Sequence, residues 1–133
     1  MIVVDTSALV AIIRHEGEED IFTDLLDRSE AAIMSSVSFV EANMVLMERR
    51  LHPEARSVES ALAALGIEVV DVTREQASLA VRGFLAYGKG RHRARLNLAD
   101  CFAYALAKSR GAPLLFKGGD FLHTDVAAAW QEP

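Results

Sequence analysis

Four acidic residues, Asp5, Glu41, Asp100 and Asp120, stand where helices are expected to begin, and three of them follow apolar, strand-like runs. Such placement can bring carboxylates from distant segments to one edge of a sheet. Clustered carboxylates repel, so a close cluster implies a cation. Carboxylate oxygens without His or Cys partners suit a hard ion, Mg²⁺ or alternatively Mn²⁺. Ions of that kind activate water and stabilise a leaving oxygen in phosphate-ester hydrolysis.

Each acid also has a plainer use. Glu41 closes Ser38-Phe39-Val40-Glu41, which has the form of a capping box. Asp100 lies three residues after Asn97 and complements a helix dipole. Asp120 supports the Gly118-Gly119 turn, and Asp5 caps the helix that follows it. Capping alone, however, does not require acids on several elements to converge on one sheet edge. Asp5, directly after Ile2-Val3-Val4 and before Thr6-Ser7, is the strongest single signal. Asn97 and Tyr104 share a helix face with Asp100 and are candidates for polar contacts there.

Other chemistries find less support. His15, His52, His92 and His123 are isolated, and no His/Cys spacing fits a zinc site. Cys101 reads as a small hydrophobe, and as the only cysteine it permits no intrachain disulfide. No Gly-rich loop matches a P-loop or a dinucleotide fingerprint. No Ser/His/Asp order stands out. The residue two after Asp5 is Ser7, where an aspartyl-phosphate phosphatase would carry a second acid. A binding module whose acids serve only as caps is the rival from another class.

The elements that must position these acids alternate. Ile2–Val4, Ala31–Met34, Ile67–Val72 and Pro113–Phe116 read as strands. Helices are expected over 6–14, with Ala8, Leu9, Ile12 and Ile13 on one stripe, and over 18–27, with Ile21, Phe22, Leu25 and Leu26 inward. A third runs from the Ser38 box to about Arg50. A fourth starts at His52-Pro53 and stops at Gly66, with Val58, Ala61, Leu62 and Leu65 as core. Thr73-Arg74-Glu75-Gln76 opens a fifth to about Tyr87, and Asn97 caps a sixth that Gly111 ends. The tail from Lys117 reads as irregular. This order favours one α/β domain over residues 1–133, with a mainly parallel sheet covered by helices. In such sheets, ligands bind beyond the carboxyl ends of the strands.

The chain has 133 residues, and 51% of them are hydrophobic, which excludes a disordered chain. No apolar run approaches the ~20 residues a membrane-spanning helix needs. The N-terminus lacks the basic segment of a secretory signal, so a cytoplasmic location is expected. The net charge of −5 is unevenly spread. Between Gln76 and Ala99 there is no acid, while Arg82, Lys89, Arg91, Arg93 and Arg95 contribute +5; the remainder carries −10. The segment Gly88 to Arg95 is thus a basic loop able to hold a polyanion locally, or simply a solvated loop.

Taken together, Ile2-Val3-Val4-Asp5-Thr6-Ser7-Ala8, the Ser38-x-x-Glu41 helix start and the block Gly88 to Asp125 resemble the VapC-type toxins of the PIN-domain superfamily. That block includes Leu96-Asn97-Leu98-Ala99-Asp100-Cys101, Leu114-Leu115-Phe116-Lys117-Gly118-Gly119-Asp120-Phe121 and Thr124-Asp125. The resemblance covers nearly the whole chain. It implies a PIN-like three-layer sandwich, a Mg²⁺-dependent ribonuclease leaving a 5′-phosphate, an RNA substrate, a cognate antitoxin and a homodimer. By position, Asp5 and Asp100 match the family's main metal ligands and Glu41 its third acid. Asp120 matches the fourth, with Asp125 close by as the alternative.

Overall fold

Four short strands, whose successive side chains enter two different cores, sort the chain into three layers. The computed structural model describes residues 1–48 and 56–133. The strands β1 (Ile2–Val4), β2 (Ala32–Ser35), β3 (Ile67–Val70) and β4 (Leu114–Leu115) lie in the order β3-β2-β1-β4. Every pairing between them is parallel. Successive side chains of a strand point to opposite faces. Val4, Met34 and Leu115 therefore enter one core, and Val3, Ile33 and Leu114 the other. Both faces are covered, which is why these strands read as continuous apolar runs. Complete burial of a Val side chain stabilises by roughly 1.5–3 kcal/mol, and Val3 and Val4 are both 0% exposed.

Helices α1 (Thr6–Ile13), α2 (Glu19–Arg28), α3 (Ser36–Glu48) and α4 (Arg56–Leu65) build the first core, through Leu9, Phe22, Leu46 and Val58 among others. Helices α5 (Arg74–Tyr87) and α6 (Leu98–Arg110) build the second, through Ala80, Ala103 and Leu106. Gly83 allows α5 and α6 to approach: a Cβ there would lie 2.7 Å from Cδ1 of Tyr104. The expected three-layer α/β sandwich is present, and its sheet is wholly rather than mainly parallel. Thr73 caps α5 by accepting the Gln76 N–H, and Gly111, at φ 59°, ends α6. Val58 and Leu62 of α4 are buried in the core. No helix among the described residues is long and apolar enough to cross a membrane.

Four expectations need correction. The capping box at Ser38 does not form. β2 passes straight into α3 at Ser36, and Ser35 accepts the Val37 N–H at 3.2 Å, so that hydroxyl takes the capping role. Ser38 is then inside the helix and buried, and its carbonyl accepts the Thr6 hydroxyl at 3.1 Å. Ile21 is 43% exposed, because Phe22 and Leu26 form the inward line of α2. Helix α1 is buried almost all round, not along one stripe, because α2, α3 and α4 all pack near it. The tail is also more ordered than expected. A 3₁₀ turn, Asp120–His123, is followed by a return to the sheet edge. There Leu114 N–H donates to Ala127 O and Ala129 N–H to Leu114 O, both at 2.8 Å. This pairing covers the otherwise open edge of β4. The proposed helix start at His52-Pro53 lies outside the described residues.

Candidate metal centre

The sheet reverses its winding between β1 and β4. From β1 the chain proceeds outward to β2 and β3, while β4 lies on β1's other side. A crevice outside the carboxyl ends of the strands opens at such a switch point. Asp5 is the first residue beyond β1, and its N–H donates to Leu115 O of β4 at 2.9 Å.

The two oxygens of Asp5 have separate jobs. Oδ2 accepts the Ser7 N–H at 3.0 Å and the Ser7 hydroxyl at 2.6 Å, capping α1. Oδ1 is buried and accepts no hydrogen bond among the described residues. A buried acceptor without a partner costs on the order of 1–3 kcal/mol. Burial pushes the carboxyl up to about 6; the Ser7 hydrogen bonds oppose the rise and the nearby Glu41 charge adds to it.

Asp100 follows the same plan on α6. It forms a capping box with Asn97: its N–H donates to Asn97 Oδ1 at 2.9 Å, and its Oδ2 accepts the Asn97 N–H at 3.0 Å. Burial pushes its carboxyl up to about 7, against the Asn97 hydrogen bond, and Asp5, Glu41 and Asp120 all add to the rise. The helix-capping and pocket-facing readings of Asp5 and Asp100 thus hold together in the same side chains.

Asp5, Glu41 and Asp100 line one cavity of about 340 Å³. Glu41 reaches it from α3, whose position beside α1 is fixed by the Thr6–Ser38 hydrogen bond. Asp120 is exposed at the start of the 3₁₀ turn, outside that lining but near enough to repel Asp100. Asp125 is engaged elsewhere: it accepts the Tyr104 hydroxyl at 2.7 Å and pairs with Lys108 Nζ at 3.1 Å. Tyr104 is therefore turned away from the role expected for it, and Asn97 contributes as a cap.

The cavity also holds residues that sequence reasoning did not select. Arg14, Glu16 and Lys117 line it with Ser7. Lys117 Nζ lies 2.6 Å from Glu16 Oε1 and 3.1 Å from Glu18 Oε2, and Arg14 lies 3.2 Å from Glu16. Ser7 had a legible signal, because an Asx-type turn needs a donor two residues on. Lys117 and Glu16 are 101 positions apart and left none.

The basic loop is a folded unit rather than a loose strap. Lys89 N–H donates to Leu96 O at 2.9 Å and Leu96 N–H to Tyr87 O at 3.0 Å. Gly90 and Arg95 take positive φ angles of 84° and 51° to close it. Lys89, Arg91, Arg93 and Arg95 remain exposed, with the Arg91 guanidinium 5.6 Å from the Phe84 ring centroid. Leu96 leads directly into the Asn97 cap, so the loop adjoins the end of α6 that carries Asp100.

The donor set fits a hard divalent cation. It is all carboxylate oxygen, one of those oxygens is buried without a partner, and two of the carboxyls are pushed up, first by burial and then by neighbouring carboxylates: Asp5 by Glu41, and Asp100 by Asp5, Glu41 and Asp120. Among the described residues, no three His, Cys, Asp or Glu side chains converge on a common metal-ligating point. Two of the carboxylates are drawn back to their own helix caps.

The sequence matches the PIN domain family over residues 2–127. It is 43% identical over 125 residues to Ribonuclease VapC30 of Mycobacterium tuberculosis, covering 94% of this chain and 95% of that one. It is 44% identical over 129 residues to Ribonuclease VapC42 of the same organism, covering 96% and 98%. Among solved structures it is similar to VapC20 of M. tuberculosis, a sarcin-ricin loop cleaving toxin. The TM-score is 0.72 at 21% identity, with 96% of this chain and 97% of that one covered. It is also similar to VapBC2 of Rickettsia felis, bound to a DNA fragment from its promoter, at TM-score 0.68 and 19% identity, with 96% of each chain covered. These two structures are alike to it in overall fold. With the family matched along nearly its whole length and curated relatives above 40% identity, the chain belongs to the PIN-domain family, among its VapC-type members.

Proposed function

We propose that this protein is a ribonuclease hydrolysing RNA phosphodiesters with a divalent ion, Mg²⁺ or alternatively Mn²⁺, and the toxin of a type II toxin–antitoxin pair. One observation carries the reading: the buried, unpartnered Oδ1 of Asp5 shares a cavity with Asp100 and Glu41, in a chain akin to named VapC ribonucleases. Asp5 and Asp100 would hold the ion, with Glu41 and Asp120 completing the site directly or through water. Such an ion, when bound, polarises the phosphodiester and lowers the pKa of its water.

The chain's own residues supply the rest. Ser7 fixes one oxygen of Asp5 and so aims the other. The Asn97 box holds Asp100 at the start of α6. Lys89, Arg91, Arg93 and Arg95 grip the RNA backbone, since phosphate contacts position a strand without reading its sequence. Cleavage leaves a 5′-phosphate and a 3′-hydroxyl.

A cognate antitoxin covers the acid pocket; a solved toxin–antitoxin complex from Klebsiella pneumoniae contains a chain of this fold. Val40, Met44 and Met47 on α3, Val81, Phe84 and Leu85 on α5, and Leu98 are exposed. An apolar face of that extent supports a homodimer. A single buried cysteine suits the reducing cytoplasm. The test compares purified wild type with Asp5→Asn and Asp100→Asn on RNA, with Mg²⁺ and with a chelator. Loss of cleavage in both variants and in chelator is expected. Undiminished cleavage by the folded variants sinks the mechanism.

A further inference from the structure

Lys117 is shared by two neighbouring cavities. One is the acid pocket; the other, of about 270 Å³, is lined by Glu18, Lys117, Leu122 and Trp130 among others, with Glu132 also on its wall. Trp130 is half-buried, and an edge contact with Phe22, centroids 5.5 Å apart at 77°, holds its ring. Leu122 is 46% exposed and adds a second apolar surface. Glu18 Oε2 is shielded from solvent and accepts no well-directed hydrogen bond, although Lys117 Nζ stands 3.1 Å away as its ion-pair partner. The cavity therefore offers a rigid aromatic wall beside an acceptor and a donor set next to each other.

We propose that this cavity is a subsite for one unpaired base of the RNA, next to the bond that is cut. Trp130 supplies the stacking wall, and Glu18 with Lys117 meets the base edge. Every nucleobase carries a donor beside an acceptor on its Watson–Crick edge, and aromatic side chains stack on unpaired bases whatever their identity. In a duplex that edge is taken by the partner strand, so the subsite admits single strands only. The inference rests on the ribonuclease reading and gives it a physical source of strand selectivity. Continuity with the acid pocket at Lys117 favours a nucleotide over an apolar peptide as the occupant.

Trp130 is the only tryptophan of the chain, so its fluorescence reports on this cavity alone. In chelator, a single-stranded hexaribonucleotide is expected to quench it saturably, and the same sequence as a duplex is not. In Mg²⁺, Leu122→Glu, which puts a charge on the apolar wall facing Trp130 at an exposed position, should raise KM for single-stranded RNA by up to about tenfold, the scale of one base–aromatic stack, with kcat nearly unchanged. No quenching by the single strand, equal quenching by the duplex, or an unaltered KM in Leu122→Glu overturns the subsite. A response to acetyl-leucine amide without one to RNA overturns it in favour of a peptide groove. Quenching by RNA that the wild type never cleaves upholds the subsite and counts instead against the ribonuclease reading.

Discussion

The hydroxyl of Ser7 donates to Oδ2 of Asp5 at 2.6 Å and at the same time accepts the backbone N–H of Lys117 at 3.0 Å. One side chain thus ties the carboxyl end of β1 to the segment leaving β4 and leaves the second oxygen of Asp5 free. Outer hydrogen bonds of this kind orient a carboxylate toward a metal, and losing one typically costs ~10–100-fold in metal affinity or activity. Ser7→Ala should therefore weaken the Mn²⁺-induced rise in Tm and lower the cleavage rate by that order, with the fold intact by circular dichroism. A variant that titrates with Mn²⁺ as the wild type does would show the hydroxyl to be a cap and nothing more.

The two raised carboxyls make a pH prediction with a definite sign. Asp5 and Asp100 have an ordinary value of 3.8 and are pushed up to about 6 and about 7 in the folded protein. Between about pH 4 and pH 7 the folded state then binds more protons than the unfolded state, so stability falls as pH rises through that window. Asp5 alone contributes on the order of 3 kcal/mol of this loss. Metal-free protein should melt several degrees lower at pH 8 than at pH 5, by roughly 5–10 °C. Asp100→Asn keeps the cap oxygen and removes the charge, so it should flatten the profile and raise the Tm at pH 8. A metal-free Tm that climbs from pH 5 to pH 8 contradicts the assigned burial.

Binding of a divalent cation should reverse the same loss. A ligand that binds only the folded state stabilises it by RT ln(1 + [L]/Kd), about 2.7 kcal/mol at a hundredfold excess over Kd. At pH 8, millimolar Mn²⁺ should recover most of the Tm lost since pH 5; at pH 5, where the carboxyls hold protons, the same addition should do little. Equal shifts at both pH values would locate the ion away from Asp5 and Asp100.

Strand positions and helix ends were readable because local rules govern them. Gly111 sits just past α6 in the left-handed conformation, and Thr73 caps α5 where its sequence pattern placed it. The cap of α3 lies three residues before the expected one, because Ser35 and Ser38 are both good caps and only the end of β2 decides between them. The acids were legible by type and by their place after strands. Their surroundings were not: Lys117 reaches Glu16 across the sheet edge, and Tyr104 meets Asp125 instead of Asp100. Such long-range pairings depend on how layers stack and leave no trace in spacing. The tail misled for the same reason, since Ala127 and Ala129 bond to β4 through backbone atoms alone.

The basic loop should act through phosphate contacts. Each phosphate neutralised on a single strand contributes about −0.7 to the slope of log K against log salt concentration. Lys89→Ala and Arg93→Ala should weaken RNA binding about equally across sequences and each reduce that slope by up to ~0.7. Both side chains are exposed on a loop closed by backbone hydrogen bonds, so Tm should stay within about 1–2 °C. An unaltered salt slope in the double variant would remove the loop from the RNA-binding surface.

Asp120 and Asp125 lie five positions apart and should answer substitution in opposite ways. Asp120 is exposed, its charge reaches Asp100, and it makes no side-chain hydrogen bond among the described residues. Asp125 is held below the ordinary carboxylate range despite some burial: the Tyr104 hydroxyl donates to it and Lys108 pairs with it. The Tyr104 ring that makes this contact lies close over Gly83 and edge-on to the Tyr87 ring. Asp125→Asn should cost about 1 kcal/mol of stability through the weakened pair with Lys108 and Tyr104, with the Mn²⁺ response retained. Asp120→Asn should leave Tm nearly unchanged and lower the cleavage rate, because its charge acts on the pocket and not on the packing. Folding energy then tracks Asp125 and chemistry tracks Asp120; the reverse pattern would make Asp125 the fourth acid of the site.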